Sequence, residues 1–62
     1  MTYNVAKVIH VLQKLSRERI TAEIVSPNYV ADFSHNRGIT LTAAEIVVIS
    51  NTYEGPYDKE TA

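Results

Sequence analysis

Val5, Val8, Ile9, Leu12 and Leu15 follow the i, i+3, i+4, i+7 spacing that lines one face of a helix. Lys7, His10, Lys14 and Arg17 repeat at i, i+3, i+7 and i+10 on another face, and Val11 falls between the two rows. Thr2 stands where it can cap such a helix. The pattern predicts an amphipathic helix over residues 2–18.

After Arg17 the register is lost. Ile20, Ala22 and Ile24 alternate as in a strand, while Thr21 suits the cap of a single helical turn around 21–25. Pro27 pushes Ser26 out of the α region and marks a boundary. Ser26-Pro27 then reads as an N-cap followed by proline at the first helical position. Tyr29, Val30 and Phe33 keep helical spacing and Gly38 is a stop, so a helix is expected over 27–36. The rival reading pairs Tyr29, Ala31 and Phe33 with Ile39, Leu41 and Ala43 as a hairpin turning at His35-Asn36-Arg37-Gly38.

Leu41 to Pro56 holds the longest apolar run, Ile46-Val47-Val48-Ile49. Four β-branched residues in a row favour a strand. The punctuation around them favours a helix. Thr42 and Glu45 form the two ends of a capping box, and Leu41 and Ile46 occupy the positions of a hydrophobic staple. Gly55-Pro56 is a stop. These position-specific signals outweigh a context-dependent propensity, and predict a helix over 42–54 that is apolar nearly all round.

The fold expected is therefore all-α, a small three-helix bundle, or four helices if the turn at 21–25 counts. The alternative is α+β, with an N-terminal helix and a short hairpin or meander over 20–43. Residues 1–55 would form the one domain and 56–62 a polar tail.

Size changes the picture next. The chain has 62 residues and no cysteine, so disulfides and thiolate metal sites are excluded. A domain this small buries only about 60% of its unfolded surface, and a partner chain is a common source of extra stability. The start, Met1-Thr2-Tyr3-Asn4, has no basic region leading into an apolar segment, so no signal peptide is expected. No apolar run approaches the ~20 residues of a membrane span. A cytoplasmic location is expected, and by analogy of size a prokaryotic or phage origin.

Net charge is −1, unevenly placed. Residues 1–20 carry Lys7, Lys14, Arg17 and Arg19 against Glu18, a balance of +3, and residues 21–62 carry −4. Lys7, His10, Lys14, Arg17 and Arg19 are thus candidate contacts for an anionic ligand. The Gly38-Ile39-Thr40 turn ahead of a capped helix resembles the turn of helix-turn-helix regulators. That resemblance implies nucleic-acid binding, but Ala43 to Ser50 offers only Glu45 and apolar or small groups where base-reading Arg, Lys, Asn or Gln would stand.

Asp32, Ser34 and His35 are the residue types of a hydrolase triad, yet adjacency in sequence is the wrong geometry for one. Asp32, His35 and His10 lack zinc-type spacing. With glycine only at 38 and 55, no phosphate-binding loop can form. No catalytic, cofactor or metal residue is expected. The four tyrosines combine apolar area with a polar tip, as interface residues do. The expected function is a non-enzymatic protein-protein interaction module, a small regulatory or inhibitor protein. It would bind a protein partner or itself as a homodimer through Tyr29, Val48, Ile49, Tyr53 and Tyr57. The alternative is a helix-turn-helix-like nucleic-acid binder using the basic stripe.

Overall fold

The computed structural model describes residues 2–56 and contains three α-helices: α1 (Val5–Arg17), α2 (Pro27–Asn36) and α3 (Ala43–Thr52). A single 3₁₀ turn, Ala22–Ile24, lies between α1 and α2, where the sequence offered either a turn or a strand. The described residues form no strand, so the hairpin over 20–43 is not supported.

Each helix starts on a side chain. Ser26 Oγ accepts the amide of Tyr29 ahead of α2. At α3, Thr42 Oγ1 accepts the amide of Glu45 while Glu45 Oε1 accepts the amide of Thr42 at 2.8 Å, completing the capping box. At α1 the cap is Asn4, whose Oδ1 accepts the amide of Lys7, so the helix begins two residues later than a Thr2 cap implies. The reason is tertiary. The Asn4 amide donates to Glu45 Oε2 at 2.9 Å, which holds Asn4 in an extended conformation at the helix mouth.

Two helices end the same way. After α1 the amide of Arg19 donates to Ser16 O and that of Ile20 to Leu15 O; after α2 the amide of Gly38 donates to His35 O and that of Ile39 to Ser34 O. Both are Schellman closures, which require a left-handed residue just past the cap. Gly38 supplies it at φ 72°, and Arg19 at φ 60°. Both closures turn an isoleucine, Ile20 or Ile39, back onto the core. α3 stops at Thr52, short of the expected residue 54, with Tyr53 as its cap.

α3 is the element on which both other helices pack. It runs in the same direction as α1, because Glu45 binds Asn4 at one end and the Tyr53 hydroxyl donates to Ile20 O at the other. Parallel helices need a return path, supplied by α2 and the 37–42 connector. Arg37 meets Glu18 at the end of α1, and Thr40 O accepts Lys7 Nζ near its beginning. The core consists of Val8, Val11, Leu15, Val30, Phe33, Ile49 and Tyr53.

The buried stripe of α1 is therefore Val8, Val11 and Leu15, rotated from the periodic stripe of the sequence. Val11 is fully buried, whereas Val5 is 57% and Ile9 47% exposed. The cause is the seam on which α1 is covered: Lys7 and Glu18 face the connector and Arg37, which turns Val5 and Ile9 outward.

Candidate interaction surface

The basic row divides into engaged and free members. Lys7 donates to Thr40 O at 2.9 Å and belongs to the α1–connector seam. His10, Arg17 and Arg19 are exposed and Lys14 half-buried. Lys14, Arg17 and Arg19 have no side-chain hydrogen bond or ion pair among the described residues. Arg37, absent from the sequence-derived set, is the most engaged cation. Its guanidinium forks onto Glu18, donates to Phe33 O at 3.0 Å and lies 3.6 Å over the Phe33 ring.

The residues expected to bind a partner are placed unequally. Ile49 is fully buried and Tyr53 is buried with its hydroxyl on Ile20 O, so both are core residues and the reading of them as surface contacts is corrected. An all-round apolar helix shows no preferred face in sequence, and only the packing of α1 and α2 on α3 reveals that Ile49 and Tyr53 point inward. Val48 is half-buried against the core. Tyr29 is also half-buried, its ring 6.2 Å from that of Phe33. Tyr57 lies outside the described residues.

Among the described residues the large apolar side chains that face solvent are Tyr3, Val5 and Ile9 at α1, Ile24 in the 3₁₀ turn and Val47 on α3. Val5 and Ile9 are one turn apart on one flank of α1. Periodicity marked both as apolar, but it marked them as core.

Among the described residues Glu45 is the one buried charge, 4% exposed. Its carboxyl is held below the usual carboxylate range by the backbone amides of Thr42 and Asn4, against the opposing pull of burial, with Lys7 adding a smaller effect. Its place at the N-terminus of α3 also suits a negative charge. Both carboxylate oxygens are occupied by structural donors, so Glu45 acts as a tie between α1 and α3.

A cleft of about 370 Å³ opens between α2 and the 39–46 segment, with Asp32, His35 and Thr40 on its walls and Ile39, Leu41 and Ile46 among its apolar lining. Ser34 also borders it, but is 2% exposed and its hydroxyl donates to Ala31 O. The hydroxyl that a triad would need as nucleophile is thus turned into its own helix. Among the described residues no group of three or more His, Asp or Glu side chains is placed to hold a metal. No described helix is long and apolar enough to cross a membrane.

Comparison with protein-family models, with curated proteins and with solved structures finds no match to this chain.

Proposed function

We propose that this chain is a non-enzymatic protein-interaction module, a small regulatory or inhibitor protein of the cytoplasm that engages its partner through the outer face of α1. The observation that carries this reading is the exposure of Tyr3, Val5 and Ile9, set beside buried polar side chains that are all satisfied among the described residues. A chain that buries so little apolar area has reason to keep every large aliphatic inside, and leaving Val5 and Ile9 in water favours a use for them in contact. Val47, also in water, offers a second copy or a protein partner a further apolar contact on α3.

The test compares the wild-type chain with Val5→Asp/Ile9→Asp as bait in its native host, after circular dichroism has shown the variant to be helical. Proteins retained by the wild type and lost by the folded variant support the reading. An unchanged set of captured proteins ends it. Sedimentation of the pure chain decides whether the partner is a second copy.

A second reading rests on Lys14, Arg17 and Arg19, which have no side-chain ion pair among the described residues. They favour an anionic ligand, nucleic acid among them. Here α3 gives little help, since its exposed row is Ala43, Val47 and Asn51, of which only Asn51 can address a base edge. Duplex binding that falls steeply with salt and disappears in Lys14→Glu/Arg17→Glu supports this second reading; no retention at low salt removes it.

A further inference from the structure

Val5, Ile9, Gln13 and Arg17 follow one another every four residues on α1, and all four are exposed. Residues at this spacing stack into a single ridge on a helix surface. The ridge spans three turns, about 18 Å. It is aliphatic at its N-terminal end and cationic at its C-terminal end. Lys14, on the adjoining row, and Arg19, two residues beyond Arg17, extend the cationic end, and none of the three has a polar side-chain partner among the described residues.

Arg19 adds an independent observation. It occupies a left-handed backbone position at φ 60°, and the corresponding residue after α2 is Gly38 at φ 72°. The same closure therefore appears twice, once with the residue the backbone favours and once with an arginine. Glycine would serve the fold better at both places. An arginine at a strained, exposed position, with no polar side-chain partner among the described residues, points to a role for its side chain in contact with another molecule.

We infer that this ridge receives an acidic amphipathic helix of a protein partner, whose aliphatic side chains rest on Val5 and Ile9 and whose carboxylates meet Arg17 and Arg19. This rests on the reading that the outer face of α1 binds protein, and adds the polarity and charge of what binds. Charge complementarity selects carboxylates for the cationic end, and arginine presents a fork that matches them. The aliphatic end selects protein over nucleic acid, because phosphates gain nothing from Val5 and Ile9. A partner helix lying nearly along α1 reaches both ends, as in packing at a shallow crossing angle.

The experiment selects a displayed library of helical peptides, randomised along one face, on the full chain and on Arg17→Glu/Arg19→Glu. A short DNA duplex is titrated separately. The expected peptides carry aliphatic residues toward one end and Asp or Glu toward the other, and they bind the charge-reversed chain at least about tenfold more weakly. Arg19→Gly is expected to melt at a higher temperature than the wild type yet bind the selected peptides severalfold more weakly, a pairing that a purely structural Arg19 does not give. Enriched peptides that lack acidic residues and tolerate Arg17→Glu/Arg19→Glu, while failing on Val5→Asp/Ile9→Asp, overturn the acidic partner but leave the protein-binding face standing. Retention of the duplex with no peptide enriched overturns both. No enrichment on any arm overturns the inference.

Discussion

Glu18 and Arg37 are the C-cap residues of α1 and α2, and they hold each other across the molecule, Arg37 Nε 2.9 Å from Glu18 Oε2 with Nη2 on Oε1. The pair joins two helix ends that share the same closure, so it fixes how α2 and the connector return along α1. Its side chains remain 30% and 41% exposed, which caps the value of the ion pair itself. Glu18→Gln is expected to cost no more than about 0.5–1 kcal/mol. Arg37→Ala should cost about 1–2 kcal/mol, because it also removes the donor to Phe33 O and the guanidinium over the Phe33 ring. Urea titrations of both variants and the double variant measure the coupling, which should shrink in high salt.

Tyr53→Phe isolates one hydroxyl. It leaves the ring in the core but removes the donor to Ile20 O, the bond that ties the end of α3 to the end of α1. The expected loss is about 1–2 kcal/mol, since a partly buried carbonyl is left without its donor. Thermal melts report it, and an unchanged midpoint would show that water replaces the hydroxyl without cost.

Arg19→Gly should stabilise the fold by about 1 kcal/mol, relief of left-handed strain being partly offset by the extra freedom of glycine in the unfolded chain. Arg19→Val, β-branched at the same φ, should destabilise. Denaturant midpoints for the two variants must move in opposite directions.

The pH dependence follows from Glu45. Its carboxyl is lowered from 4.5 in the folded chain, foremost by the amides of Thr42 and Asn4. A carboxylate lowered on folding binds protons more weakly in the native than in the unfolded state, so its stabilisation is complete above 4.5 and is lost as pH falls through the lower folded value. The melting temperature should hold near neutrality and drop on acidification below that point. Glu45→Gln should melt lower at pH 7 and show a shallower acid decline. Melts from pH 7 to pH 3 test both statements.

Ile49 and Ile9 make a contrasting pair. Ile49 is fully buried and Ile9 is 47% exposed. Ile49→Asp puts an unpaired charge in the core and should unfold a domain this small. Ile9→Asp should leave the helical spectrum intact and the midpoint within about 0.5 kcal/mol of the wild type. Far-ultraviolet circular dichroism separates the two.

What the sequence determined by itself was local. The caps at Ser26 and Thr42, the proline opening α2 and the glycine closing it depend on residues within a few positions, and all are where the chain places them. The β-branched run Ile46–Ile49 yielded to that punctuation, because a reciprocal cap satisfies specific backbone donors whereas β-propensity needs a neighbouring strand to act on. The tertiary structure decided which sides of those helices see water. Periodicity could not tell that Val11 goes in and Val5 and Ile9 stay out, since α1 is apolar over more of its circumference than α2 and α3 cover. Nor could it assign Ile49 and Tyr53 to the core, find Asn4 in place of Thr2 as the cap, or join Glu18 to Arg37. Each of those depends on contacts between residues at least nineteen positions apart, which no local pattern encodes.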